Sequence, residues 1–336
     1  MAYKPNSIDK KILYYLNSNC RLSNAYIGKK CNISKQRVKS RIEILKREGI
    51  IKKFISIFDD EKTGITFYNV YFELNQACIG NNELFDKITA LNSTCWISKG
   101  MGKWNLVVCI LASDIKEFRK NLGELFNLIG EYVIDFETFT VVDAFIFPYK
   151  VLFEGLTFDE KFYATIGEAK NRTLDKIDFL IMHELSQNAR IPITDIAAKL
   201  SINKNTISYR IKNLVQDGFI SKFTTLMDIS SLGINWYYVL LNITLTKENE
   251  ENLLKDLKAL KGVFYIMRGV GNYNVCFEVH AKSSQELEEQ LNALRTNFNQ
   301  IIKKMDVMEI TKEFKCDFFP YKLLEGENNG KNNQVQ

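Results

Sequence analysis

Residues 8–54 read IDKKILYYLNSNCRLSNAYIGKKCNISKQRVKSRIEILKREGIIKKF, and residues 177–223 read IDFLIMHELSQNARIPITDIAAKLSINKNTISYRIKNLVQDGFISKF. Laid over one another at an offset of 169 they need no gap, and 17 of 47 positions are identical. Asp9 falls on Asp178, Arg21 on Arg190, Arg41 on Arg210 and Gly49 on Gly218. The offset still holds at Gly64/Gly233 and at Gly100-Met-Gly102/Gly269-Val-Gly271, and has grown to 172 at Pro148-Tyr-Lys150 and Pro320-Tyr-Lys322. A period this long marks duplicated domains, not a solenoid of short repeats.

Within a copy, three helices come first and a mixed strand-and-helix region follows. Ile8, Ile12 and Leu16 recur every four residues, as on an amphipathic helix. A short second helix over about Ser23–Cys31, a turn at Asn32-Ile33 and an N-cap at Ser34 lead into a third helix, which Gly49 stops. After that, IIKKFISIF and TFYNVYFEL alternate like strands, Asn82–Leu91 reads as a helix, and CWISKG and WNLVVCILA read as strands around a glycine turn. A helix over Asp114–Ile129 and a long strand, YVIDFETFTVVDAFIF, close the copy; the second copy repeats the order, with helices near 248–260 and 284–300. The expected class is α+β: two tandem copies of a winged helix-turn-helix domain followed by a βαββαβ sandwich. The expected boundaries are 1–55 and 56–150 for copy one, a linker at 151–172, 173–224 and 225–324 for copy two, and a disordered polar tail at 325–336.

Bulk properties exclude several classes. Of 336 residues, 46% are hydrophobic and 25% charged, ordinary values for a globular chain. No apolar run is long enough for a membrane span, and MAYKPNSIDKK has no signal-peptide core, so a cytoplasmic location is expected. Seven scattered cysteines, with no CxxC pair, read as reduced core thiols, and two histidines make a histidine-rich metal site unexpected. No cofactor and no metal are expected. The net charge of +5 is unevenly spread: residues 3–53 carry 14 Lys/Arg against 3 Asp/Glu, and residues 170–222 carry 9 against 5. Positive charge gathered on two helix-turn-helix segments points to double-stranded DNA as the partner.

The third helix carries the chemistry. Val38, Ile42 and Leu45 form its buried stripe, leaving Gln36, Lys39, Ser40, Glu43 and Arg47 outward and Arg37 on a flank. With the helix-start residues Ser34 and Lys35, these are the candidate DNA contacts of copy one; Arg41, nearer the stripe, suits an ion pair as well as a phosphate. In copy two Ile207, Ile211 and Leu214 pack, and Asn203, Lys204, Asn205, Thr206, Ser208, Tyr209 and Lys212, with Arg210 beside the stripe, are the candidates. The bland alternative is an ordinary surface helix of a three-helix bundle.

The run from Ile8-Asp9 to Lys53-Phe54, continued through Gly64 and Gly100-x-Gly102-x-Trp104-Asn105-Leu106, resembles the Lrp/AsnC family of transcription regulators, in both copies and over nearly their full length. The resemblance implies a ferredoxin-like second domain that pairs and senses a small-molecule effector. It implies an effector pocket near Gly100, Gly102 and Lys103 and near Gly269, Gly271 and Asn272. Family members commonly carry an acidic residue after the second glycine. Lys103 and Asn272 stand there instead, which argues against amino-acid sensing of the usual kind. Read from the residues alone, the glycines simply permit a tight turn. Single-copy members dimerise, so the duplicated chain should pair its own sensing domains as a pseudo-dimer, with a homodimer as the other arrangement.

Two further readings stay open. A related group with this domain order decarboxylates siroheme and uses histidine and arginine around the tetrapyrrole. Here the corresponding stretches, Ser93-Thr-Cys-Trp96 and Lys261-Gly-Val-Phe264, have no histidine. A helix-turn-helix can also serve as a protein-docking scaffold. The reading preferred is a non-enzymatic, sequence-specific transcription regulator with two unlike recognition helices per chain.

Overall fold

The computed structural model describes residues 3–59, 64–167, 173–317 and 319. The polar tail expected at 325–336 lies outside them. Copy one runs α1 (Ser7–Ser18), α2 (Asn24–Cys31), α3 (Lys35–Arg47), β1 (Ile51–Phe58), β2 (Thr66–Leu74), α4 (Gln76–Ile79), α5 (Asn82–Thr89), β3 (Thr94–Met101), β4 (Leu106–Ala112), α6 (Ile115–Ile129) and β5 (Val133–Ile146). A short strand, β6 (Ala164–Ile166), precedes copy two, which runs α7 (Lys176–Gln187), α8 (Ile193–Leu200), α9 (Lys204–Gln216), β7 (Ile220–Met227), β8 (Asn235–Ile243), α10 (Lys247–Ala259), β9 (Val263–Gly271), β10 (Val275–Ala281), α11 (Ser284–Asn297) and β11 (Ile302–Cys316). The one-turn helix α4 and the short strand β6 are elements that sequence periodicity did not show.

The copies do not fold side by side. Each of the two compact units is built from both: one from residues before 64 with 152–232 and 319, the other from 64–151 with 233–317.

In the first unit the two helix-turn-helix segments share a two-stranded antiparallel ribbon, β1 with β7. Ile55 pairs with Thr224, Phe54 with Thr225 and Ser56 with Phe223. The central pair is offset by 169 residues, so the pseudo-two-fold axis passes between equivalent positions. The contacts around it come in matched sets. Cys20 N donates to Phe223 O (3.1 Å) and Ala189 N to Phe54 O (3.0 Å). Thr225 Oγ1 donates to Leu16 O (3.2 Å) and Ser56 Oγ to Leu185 O (3.2 Å). The strand that completes each winged helix therefore belongs to the other copy. The segment expected to be a linker also packs here. Phe153 and Phe162 are buried, both rings meet Tyr14, and Lys222 Nζ donates to Phe162 O (2.5 Å).

The second unit is a closed ring of strands, in which the sheets of the two βαββαβ halves pair with one another as the pseudo-dimer reading expected. Within copy one the order is β5-β2-β4-β3, and within copy two β11-β8-β10-β9; β3 then pairs with β11 and β9 with β5. Helices α5 and α6 pack on the outer surface of one half, and α10 and α11 on that of the other. Strand alternation sends Asn69, Tyr71, Tyr238 and Cys276 to the inside. There Tyr71 OH lies 3.5 Å from Cys276 Sγ and Asn69 Nδ2 3.5 Å from Met267 Sδ, contacts that join one copy to the other.

The glycines expected at the strand turns have another task. Gly100, Gly269 and Gly271 lie within strands at the two seams. A Cβ on Gly100 would stand 2.0 Å from Glu309 O, and one on Gly269 2.1 Å from Thr140 O. Close approach of the backbones, not turn geometry, requires glycine there. Gly102, with φ +139°, is the one of the four that also needs the left-handed region.

Candidate nucleic-acid interface

Helix α3 begins at Ser34, whose Oγ accepts the Arg37 N–H (3.1 Å); α9 begins at Asn203, whose Oδ1 accepts the Asn205 N–H (2.8 Å). The turn before each helix contains a left-handed residue, Asn32 at φ 54° and Ser201 at φ 56°, and Gly49 and Gly218 follow the helix ends at φ 76° and 85°. Val38, Ile42 and Leu45, with Ile207, Ile211 and Leu214, are buried as the stripes required. That packing fixes the rotation of both helices about their axes. Ser34, Lys35, Gln36, Arg37, Lys39, Ser40, Glu43 and Arg47 are all exposed; so are Asn203, Lys204, Asn205, Thr206, Ser208, Tyr209 and Lys212.

The cations divide into two kinds. Lys35, Arg37 and Lys39 have no carboxylate partner among the described residues, and neither do Lys204 and Lys212. Arg41 and Arg210 are committed elsewhere. Arg41 Nε donates to Asp9 Oδ1 (2.7 Å) and its Nη2 to Asp9 Oδ2, while Tyr3 OH donates to the same carboxylate (2.7 Å). Arg210 Nη1 reaches Asp175 Oδ2 (2.7 Å) and Asp178 Oδ1 (3.1 Å). These pairs tie the first helix of each helix-turn-helix to its third. Burial pushes the Asp9 carboxyl up, but the bonds from Arg41, Tyr3 and the Asn6 N–H outweigh it and hold the group below its ordinary value.

Sequence reasoning missed the arginines that join the two readers. Arg21 and Arg190 are half-buried between the copies, where partial burial lowers both guanidiniums from their ordinary value. Each caps carbonyls of the other copy and lies over an aromatic ring, Phe223 for Arg21 and Phe54 for Arg190. The signal was available: both stand at equivalent positions of the repeat, in the turn between the first and second helices.

In the strand ring, a cavity of about 370 Å³ opens beside the β3–β11 seam, lined by Leu74, Phe85, Lys99, Gly100, Met101, Asn105 and Thr311. Of the residues expected near an effector, Gly100 reaches it. Lys103 is paired with Asp135 (3.1 Å) and Asn272 donates to Glu137 (2.6 Å), so carboxylates do stand beside these positions, supplied by β5.

Residues 5–52 and 174–221 each match the winged helix-turn-helix DNA-binding family. An uncharacterised HTH-type transcriptional regulator of Pyrococcus abyssi is 30% identical over 140 residues, which span 41% of this chain and 91% of that protein. Another, of Pyrococcus furiosus, is 28% identical over 155 residues, 46% of this chain and 99% of that protein. Each relative is thus matched almost whole by less than half of this chain, as a duplication requires. Among solved structures, the siroheme decarboxylase NirDL shares the fold, with a TM-score of 0.62 over 97% of this chain and all of that one at 15% identity. With its winged helix matched twice and a regulator aligned at 30% identity over nearly its full length, the chain belongs to the family of winged helix-turn-helix transcriptional regulators.

Proposed function

We propose that the paired helix-turn-helix unit binds duplex DNA in a sequence-specific manner, with α3 and α9 as two unlike readers in adjacent stretches of major groove. The observation that carries this is the set of exposed cations Lys35, Arg37 and Lys39, none with a carboxylate partner among the described residues, flanking the outward face of a helix whose other face is locked in the core. Exposed cations on such a helix are placed for phosphates and base edges. A single chain presenting two different helices favours an operator without a palindrome, because palindromes mirror a true two-fold. DNA affinity should fall steeply with salt, with a log–log slope of about −0.9 per phosphate neutralised. Replacing Arg37 and Lys39 by alanine should weaken binding and flatten that slope; an unchanged slope and affinity would remove α3 from the interface.

The strand ring, each half of it ferredoxin-like in strand order, is the proposed sensing part, pairing within the chain where single-copy relatives would need two subunits. The cavity beside the β3–β11 seam, with Leu74, Phe85, Asn105 and Thr311 in its lining, is the proposed effector site. The chain is read as a regulator and not as a tetrapyrrole enzyme. His280 is buried against Glu278 (2.9 Å) and stacked on Phe264 and Tyr149, and the stretches Ser93–Trp96 and Lys261–Phe264 hold no histidine. Incubation with an iron tetrapyrrole and visible absorbance would overturn this by showing a stoichiometric bound band.

A further inference from the structure

Helix α9 carries Asn205, Ser208, Tyr209 and Lys212 on one outward line, at i, i+3, i+4 and i+7. Tyr209 sits in the middle of it and is 66% exposed. Among the described aromatic side chains it is the most exposed; the next, Tyr26, is 45% exposed and meets Tyr15 and Lys30. Tyr209 has no ring or hydrogen-bond partner among the described residues. At the equivalent position of copy one stands Ser40, also exposed. The stripe behind Tyr209 is fully formed by Ile207, Ile211 and Leu214, so the ring is not displaced core. An isolated exposed apolar group needs no explanation on most surfaces. This one lies at the centre of the face that a groove would cover.

The two faces differ in kind. Copy one offers Arg37 and Lys39, which suit the O6 and N7 of guanine, and Glu43, which accepts from the N4 of cytosine. Copy two has no exposed arginine or carboxylate between Lys204 and Lys212; it offers Asn205, which suits adenine N6 and N7, and the apolar surfaces of Thr206 and Tyr209. The thymine C5-methyl is the feature of the major groove that an apolar side chain can read. We infer that α9 reads an A·T half-site, with Tyr209 packed on a thymine methyl, while α3 reads a G·C-containing half-site. This rests on the proposal that the unit binds DNA.

The test uses the full chain and a random-sequence duplex library. Selection should return two unlike half-sites at fixed spacing, one rich in A·T and one containing G·C. In the selected duplex, deoxyuridine is then put in place of thymidine, which removes only the methyl groups. In the A·T half-site this should weaken binding about four-fold for a contacted methyl, the worth of one apolar carbon taken from water. The same exchange in the other half-site should change nothing. Tyr209→Ser, which installs the copy-one residue at an exposed position, should abolish the sensitivity to deoxyuridine, whereas Arg37→Ala should leave it intact. Retained binding with no deoxyuridine effect in wild type, the same effect in Tyr209→Ser, or two G·C half-sites would each overturn the inference while leaving DNA binding standing. No retention of any duplex would overturn the DNA-binding proposal itself.

Discussion

Arg21 and Arg190 reach across the pseudo-two-fold axis in opposite directions and do the same work on each other's copy. Arg21 Nη1 donates to Ala189 O (2.7 Å) and Ile191 O (3.1 Å); Arg190 Nη1 donates to Leu22 O (3.2 Å) and Cys20 O, and its Nη2 to Asn24 Oδ1 (2.9 Å). Hydrogen bonds from a charged donor contribute about 1.5–3 kcal/mol each in favourable settings. Arg21→Ala and Arg190→Ala should each lower the unfolding free energy, read from urea titration, by an amount in that range. The two sites share one interface, so the double variant should lose less or more than the sum, by at least about 0.5 kcal/mol. Strict additivity would mean the two arginines act independently.

The ion pairs that hold the third helices should be separable from DNA contact. Removing Arg41 leaves the Asp9 carboxylate, fully buried, without its cation, a change that costs about 3–5 kcal/mol in buried pairs. Arg41→Ala should therefore lower the melting temperature markedly, while Arg37→Ala, at an exposed position, should leave it unchanged and weaken only DNA binding.

Acid should act through the same pairs. Burial raises the Asp9 and Asp175 carboxyls, and their hydrogen bonds from arginine and backbone bring both below their ordinary values. A lowered carboxyl contributes stability that is fully present above the unfolded value near 4 and is lost as pH falls through the folded one. Urea midpoints measured from about pH 5 down to pH 2 should fall, and Asp9→Asn should flatten part of that decline. An unaltered profile would place the acid sensitivity elsewhere.

Lys222 works in the opposite pH range. It is buried under the segment that joins the copies, and burial lowers its amine to about 7. The unfolded amine titrates near 10.4, so between those values the unfolded chain holds the extra proton. Stability should rise as pH increases from about 7 to 10, and Lys222→Met should remove that rise and stabilise the fold at neutral pH. Its counterpart Lys53 is only half-buried, and Lys53→Met should leave the slope in place.

The seam glycines give a fourth contrast. Gly100→Ala and Gly269→Ala each force a methyl against a carbonyl oxygen and should cost about 3 kcal/mol or more. Gly80→Ala, where nothing lies within 4 Å, should stay within about 0.5 kcal/mol of wild type.

The reader helices were legible because their packing is local: Val38, Ile42 and Leu45 repeat at helical spacing, and the outward face follows by subtraction. The partner of β1 was not, because strand periodicity names a face and not a neighbour. Only the repeat offset, carried into the Ile55–Thr224 pair, encodes it. The seam glycines looked like turn residues because a sequence does not show which carbonyl approaches Gly100 from 209 residues away. The joining segment was misjudged despite a usable signal: Phe153, Phe158 and Phe162 are too many large apolar groups for a solvated tether.

The closed ring of strands has a consequence for how the molecule can change. When two identical subunits share such a ring, every substitution arrives twice, once on each side of the seam, and must be tolerated in both places. A ring whose halves are one polypeptide is released from that. Inside it, β10 carries His280 hydrogen-bonded to Glu278, whereas the equivalent strand β4 carries Leu111 and Cys109. A buried ionisable couple on one side faces hydrocarbon and thiol on the other.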